Sequence, residues 1–470
     1  MIRTISVAAL LAATALASPA MAQDLRPDQL AFRDLYKELI ETNTTLSSGS
    51  CTAAAQAMAA RMKAAGYADA DLQVIAPADR PKDGALVATL KGADAKAKPI
   101  LLLAHIDVVE ANRADWERDP FKLVEEDGFF YARGASDDKA QAAVWTDTLI
   151  RFKQEGFQPR RTLRMALTCG EETPDTFNGV QYLIANHRDL MDAEFVLNEG
   201  AGGRLNEAGE RVSLGVQAGE KVYQDYTLEV TNIGGHSSAP VRDNAIYHLS
   251  AGLARLADYD FPVELNDAVK ANFERMATIE GGASGAAMAA VAKNPSDAAA
   301  VATVARDPGR NSMMRTTCVA TMVNAGHAPN ALPQRARANV NCRILPGEGV
   351  EETRQALVKV LADDAIKVTT VGSPSPVSPP PTLSKDIMGP IEKVSAKLWP
   401  GVPVVPVMAT GATDGRFLNA VGVPAYGLTG FFSELAGNGA HGLNEKMRVR
   451  SLYEGRDFLY EVVKIYANQK

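Results

Sequence analysis

Short apolar runs alternate with helical stretches through the first half of the chain, and this alternation restricts the fold more than any other feature. Strand-like runs occupy residues 72–75, 85–90, 99–104, 162–167 and 193–198, with helical patterns at 139–155 and 180–186. A helical segment at 29–66, Ala- and Met-rich from 51 to 65 and ended by Gly66, precedes them. Such an order predicts a mainly parallel sheet covered by helices. In such sheets catalytic groups sit on loops at the carboxyl ends of the strands.

Near Gly219 the texture changes. A strand at 223–230, a helix at 244–257, strands at 314–323 and 335–344, a helix at 351–362 and a strand at 366–371 follow one another. This β, α, β, β, α, β order fits a small ferredoxin-like open sandwich. An Ala- and Met-rich segment at 265–310 reads as inserted helices placed to cover a cleft. The Pro/Ser run 372–381 cannot continue helix or sheet and reads as a linker. Beyond it, a helix at 387–398 and strand-like pieces at 402–408 and 425–428 return to the α/β texture. The predicted organisation is a catalytic domain built from 23–219 and 374–470, interrupted by a lid or dimerisation domain at 220–373.

Residues 1–22 read as a secretory signal: Arg3, an apolar stretch from 5 to 17, and Ala20-Met21-Ala22 as a small-x-small cleavage site. No later segment offers the roughly 18 apolar residues that a membrane span needs. The expected location is therefore periplasmic or secreted. A formal charge of −7 and the lack of any basic run argue against nucleic-acid binding. Four cysteines, Cys51, Cys169, Cys318 and Cys342, are too few for a disulfide scaffold. The predicted hairpin of 314–323 and 335–344 brings Cys318 near Cys342, where a bridge is an option and unpaired buried thiols are the default expectation.

The chemistry concentrates where apolar runs end. Ile100-Leu-Leu-Leu-Ala-His105 delivers a histidine, and Asp107, two positions on, faces the same side, where its carboxylate can orient the imidazole. Alone, such a pair is more often a satisfied polar contact than a metal site. Ser136-Asp137-Asp138 opens a helix; N-terminal capping explains an acid there, and so does a ligand bridging two cations. Leu167-Thr-Cys-Gly-Glu171-Glu172 ends a strand in paired acids, one able to bind metal while the other serves as a base. Phe195-Val-Leu-Asn-Glu199 ends another in an acid, and Gly437-Asn-Gly-Ala-His441 places an imidazole in a Gly-rich loop. Each of these pieces is bland by itself. Together, two histidines and several loop-borne carboxylates make the donor set used for paired zinc ions.

The order and wording of these segments resemble the M20 metallopeptidases, a family of carboxypeptidases, dipeptidases, aminoacylases and glutamate carboxypeptidase-like dizinc hydrolases. The run His105-Ile-Asp-Val-Val, then Trp116, Pro120-Phe121, Gly128-Phe-Phe-Tyr-Ala-Arg-Gly134 and Ser136-Asp-Asp-Lys139 is most similar to the carboxypeptidase S and N-acyl-amino-acid hydrolase branches. The resemblance implies two Zn²⁺ ions, with Co²⁺ or Mn²⁺ as substitutes, and Asp137 shared between them. It implies that His105 and Glu199 complete one site and Glu172 and His441 the other. Glu171 becomes the general base, Asp107 orients His105, and a cis peptide falls between Asp137 and Asp138. In Gly234-Gly-His236-Ser-Ser and Asn330-Ala-Leu-Pro333, followed by Arg343, it implies an oxyanion-stabilising His236, often supplied across a homodimer, and carboxylate-binding Asn330 and Arg343. Ala140 stands where the family commonly has Gly, and the 265–310 insertion exceeds a minimal lid, which leaves the dimer geometry open.

These residues predict hydrolysis of an amide bond beside a free carboxylate, in a carboxypeptidase or dipeptidase. The alternative within enzymes is an aminoacylase acting on N-acyl amino acids. A non-catalytic exported protein that clamps a small ligand between two domains is a different class. Against it stands Glu171 beside Glu172, since a binder needs no base.

Overall fold

The computed structural model describes residues 25–173 and 176–470; the expected signal at 1–22 lies outside the described residues. Its larger sheet has ten strands. The centre is parallel: Ile100–His105 runs beside Leu163–Thr168 on one side and Phe195–Asn198 on the other, and Ala425–Gly427 continues parallel to Phe195–Asn198. Leu72–Ile75 and Ala85–Leu90 extend one side antiparallel. The interior strands are apolar along their length because both faces are covered: every residue of Ile100–His105 is buried.

Helices Pro27–Glu41, Cys51–Ala64, Lys139–Gln154 and Val449–Tyr466 pack on one face, where Phe32, Tyr36, Met58, Trp145, Phe152, Phe458 and Val462 form one core with Leu102 and Met165. Gly179–Asn186 and Gly415–Ala420 cover the other face over Val87, Leu101, Leu103 and Val196. The chain ends at 25–220 and 404–470 thus share one sheet, as the α/β expectation requires. Strand Arg211–Glu220 pairs with both C-terminal strands, parallel to Val404–Ala409 and antiparallel to Ala425–Gly427, which sits between it and Phe195–Asn198.

The smaller sheet is antiparallel, in the order Thr317–Ala325, Arg335–Ile344, Val222–Thr231, Lys367–Thr370. Its alternating strands turn Val222, Tyr226, Leu228, Ala338 and Val340 onto helices Ala245–Ala257 and Val350–Leu361. This is the ferredoxin-like sandwich expected from the sequence.

Two features depart from expectation. Instead of lying over a cleft, the insertion packs against the larger domain: Val269, Phe273 and Met276 of helix Asp267–Glu280 join the main core beside Val404, Val405 and Met408. Among the described residues strand Val404–Ala409 pairs only with Arg211–Glu220, and two of its outer carbonyls are taken by side chains of that helix. Asn272 Nδ2 donates to the Pro406 carbonyl at 2.8 Å, and Arg275 donates to that of Val404. The insertion therefore seals a sheet edge. The second departure concerns the cysteines, where the default of unpaired thiols is corrected. Cys318 and Cys342 stand opposite each other in register, with Cα atoms 4.1 Å apart, and are bonded. Cys51 and Cys169, 118 positions apart, form a further disulfide. A hairpin pair at this spacing is within bonding reach without backbone movement.

Candidate active site

The strands of the larger sheet deliver their last residues to one place. His105 is buried at the end of its strand, with Nε2 3.1 Å from Asp137 Oδ1 and 3.7 Å from Glu199 Oε2. His441 Nε2 lies 3.2 Å from Asp137 Oδ2 and 2.9 Å from Glu172 Oε2. The two oxygens of Asp137 thus face two different imidazoles. Each trio, His105–Asp137–Glu199 and Asp137–Glu172–His441, offers three ligand atoms within 4.8 Å of one another. The peptide between Asp137 and Asp138 is cis, as the resemblance implies.

Electrostatics explain why this cluster needs cations. Asp107, Asp137, Asp138, Glu171, Glu172 and Glu199 crowd around two imidazoles in a largely buried setting. Such a density of like charge is tolerated only when it is neutralised by protons or metal ions. Burial, followed by the charge of Glu199, pushes the Glu171 carboxyl well above its ordinary range. Burial likewise raises Glu172 to about 7. Burial works against a charged His105, but Glu199, Asp107 and Asp137 carry its imidazole well up. The hydrogen bond to Asp137 leads the rise of His441 to about 9. Asp138 Oδ2 is buried without a hydrogen-bond partner among the described residues. Imidazole and carboxylate donors in two trios sharing one carboxylate fit a pair of divalent cations.

The scaffold around the trios is specific. The Asp107 carboxylate accepts from the Glu172 N–H at 3.1 Å and the Glu171 N–H at 3.4 Å, while His105 Nδ1 lies 3.1 Å from the Asp107 carbonyl oxygen and 3.5 Å from its carboxylate. Asp107 thus touches both the imidazole and the paired-glutamate turn. Glu445 is a residue whose role the sequence reading missed. Fully buried, it accepts from the N–H groups of Gly134, Ser136 and Asp137 at 2.8–3.0 Å and from Arg133 at 2.9 Å. Arg133 also donates to the Gly442 carbonyl at 2.9 Å. Glu445 follows His441 by four positions, so this network ties the loop bearing His441 to the loop bearing Asp137. The signal was its place four residues after His441, at the end of the same loop.

A cleft of about 830 Å³ opens beside the trios and is lined by Glu171, Glu172, Tyr223, Arg343, Arg416 and Phe417, among others. Arg343 comes from the smaller sheet and stacks 4.7 Å from the Tyr223 ring centre; Arg416 comes from the larger domain and stacks 4.5 Å from that of Phe417. Neither guanidinium pairs with a carboxylate among the described residues. Arg416 was also missed in the sequence, where Asp414-Gly415-Arg416 follows a strand end. His236 and Asn330 stand together instead on an exposed two-stranded ladder of the smaller domain. Gly235–His236 pairs with Ala331–Leu332, and the Ser237 N–H donates to the Asn330 carbonyl at 3.0 Å. Neither lines the cleft.

Residues 101–465 match the model of peptidase family M20/M25/M40. A mouse N-fatty-acyl-amino acid synthase/hydrolase is 29% identical over 80% of this chain and 75% of its own length. A probable carboxypeptidase S-like protein of Dictyostelium discoideum is 27% identical over 81% of this chain and 74% of its own. Among solved structures, an M20 family metallo-carboxypeptidase of Sulfolobus solfataricus superposes with a TM-score of 0.68 at 18% identity, over 94% of this chain and all of that one. The chain belongs to peptidase family M20/M25/M40 and is a metal-dependent hydrolase of amide bonds.

Proposed function

We propose that the chain cleaves an amide bond next to a free carboxylate, in a peptide or an N-acyl amino acid, at a dinuclear zinc centre. The observation that carries this reading is the position of Asp137 between two imidazole-carboxylate trios with Glu171 beside them. His105, Asp137 and Glu199 hold one ion; Asp137, Glu172 and His441 hold the other. Bound there, the ions supply Lewis acidity and lower the pKa of water. Glu171 takes the proton of the attacking water and returns it to the leaving nitrogen, a task suited to a carboxyl whose burial raises its proton affinity. Asp107 holds His105 in orientation, and Arg343 offers a planar fork to the substrate carboxylate.

His236 and Asn330 are assigned to the oxyanion and the carboxylate. Because they stand outside the cleft of their own chain, their route to it is through the partner subunit of a homodimer formed by the smaller domain. Strand Thr317–Ala325, an outer strand with Val319, Met322 and Val323 exposed, supports such a contact. Residues 1–22 as an export signal and the division at 219/220 and 373/374 complete the reading; two disulfides suit an oxidising compartment.

Within this reaction the N-acyl amino acid class is favoured by the relatives that act on fatty-acyl amino acids. Hydrolysis of a panel of dipeptides, N-blocked dipeptides and N-acyl amino acids, before and after chelation and zinc add-back, separates the classes. Zinc-restored cleavage of N-acyl amino acids with inert free dipeptides is the expected pattern. A metal-loaded protein inert on the whole panel would overturn the assignment.

A further inference from the structure

Glu171 sits on a tight turn that follows strand Leu163–Thr168. Gly170 adopts φ +88°, and a Cβ there would meet the Phe177 carbonyl oxygen at 2.3 Å, so the chain folds back tightly just before the paired glutamates. One flank is held by Asn178, whose Nδ2 donates to the Gly170 carbonyl at 3.3 Å and to Asp414 at 2.6 Å, and by the Gly179 N–H on the Cys169 carbonyl at 2.7 Å. The Glu171 and Glu172 N–H groups have the Asp107 carboxylate.

The other flank is covalent. Cys169, two positions before Glu171, is bonded to Cys51, the first residue of helix Cys51–Ala64, and both are buried. That helix start is fixed by Ser50, whose Oγ accepts from the Ala53 N–H at 3.2 Å. The segment leading to it is anchored at several points. The Ser50 N–H donates to the Asn43 carbonyl at 2.9 Å, the Val108 N–H to that of Thr44 at 3.4 Å, and Lys139 Nζ to that of Thr42 at 2.7 Å. Residues 42–51 therefore form a strut. One end touches Lys139, beside the Asp137–Asp138 loop, and the other is cross-linked to the turn of Glu171.

We propose that the Cys51–Cys169 disulfide positions the turn bearing Glu171 against the two trios, so that turnover depends on this bond while substrate affinity does not. The inference rests on the reading of Glu171 as the base. Cys51 and Cys169 act through the turn and touch neither substrate nor ions. An error of about 1 Å in the place of a reacting group is enough for large losses in rate, and affinity would be spared because Arg343 reaches the cleft from the other domain.

The test compares the full chain carrying Cys51→Ser with Cys169→Ser against wild type and against Cys318→Ser with Cys342→Ser, below the unfolding temperature of all three. Expected, with zinc in excess so that the ion held by Glu172 on the same turn stays bound, is a fall in kcat of tenfold or more in the first variant, with KM within threefold. The other double variant should leave the exchange of the Glu171 and Glu172 amides at the wild-type rate. Amide hydrogen exchange at Glu171 and Glu172 should quicken in the first variant alone. Unchanged kcat and unchanged exchange in a folded variant would overturn the proposal, as would a loss confined to KM. Should that variant not fold, wild type reduced with a phosphine decides. Activity falling in step with thiols at Cys51 and Cys169, and returning on reoxidation, supports the role; full activity with both thiols labelled defeats it. The exchange readout needs no substrate, so it still judges the positioning role if wild type proves inert on the panel, an outcome that contradicts the assigned reaction instead.

Discussion

In the proposed function Asp137 holds charge and Glu171 moves protons, and substitutions at each should separate the two tasks. Glu171→Gln keeps the shape of the turn but cannot accept a proton. It should lower kcat by about 10²–10⁴-fold, the usual range for a general base, and leave metal content at wild-type level by elemental analysis. Asp137→Asn should lose metal as well as activity. Glu445→Ala removes the acceptor of three N–H groups and of Arg133, so metal affinity should fall by about 10–100-fold in competition with a chelating dye, although Glu445 touches no ion. Glu220, which is in neither trio, offers a further test. Burial raises its carboxyl to about 8, against hydrogen bonding from Thr413 that works to lower it. A folded-state pKa above the unfolded one means that the native state holds the proton more tightly. The stability contribution is present below about 4.5 and is lost as pH rises through about 8. Denaturant unfolding from pH 5 to 9 should show wild type losing stability along that interval, with a flatter slope in Glu220→Gln; parallel slopes would remove Glu220 as the cause.

At the scale of elements, the sequence was most legible where burial on both faces left a continuous apolar run. Ile100–His105, Leu163–Thr168 and Phe195–Asn198 appear close to where their runs predict them. The same reading passed over Arg211–Glu220, because glycines and charged ends interrupt its apolar residues and its pairing with Val404–Ala409 comes from far along the chain. The insertion was recognised as helices, but its seat was not. A stripe of Val269, Phe273 and Met276 says that a face is buried, not against what. Phe273→Ala should therefore destabilise the larger domain by about 3–5 kcal/mol in equilibrium unfolding, a cost that a freely hanging lid helix would not show. The disulfides differ in the loops they close. Chain entropy assigns about 5 kcal/mol to a closure of 118 residues and about 3.5 to one of 24. Loss of Cys51–Cys169 should accordingly lower the melting temperature more than loss of Cys318–Cys342.

For the whole molecule, the site is a product of convergence. Strand ends from the first half, a loop from the last thirty residues and Arg343 from the smaller sheet meet at one cleft. The residues of the two trios were legible as candidate ligands because each ends an apolar run or sits in a loop. Glu445 and Arg416 were not, because their roles are defined by partners hundreds of positions away or by the opposite wall of the cleft. His236 stands on the exposed ladder, apart from the trios and the cleft, and under the proposed function it is a second subunit that brings it to substrate. Among the described residues no helix is long and apolar enough to cross a membrane. The central claim is that two ions shared through Asp137 are required for amide cleavage. The most direct measurement is activity during zinc titration of the chelated protein, at concentrations well above the dissociation constants. The account predicts activity that reaches its maximum at two equivalents per chain and is absent in Asp137→Asn. Full activity in the metal-free protein, or saturation at one equivalent, would contradict it.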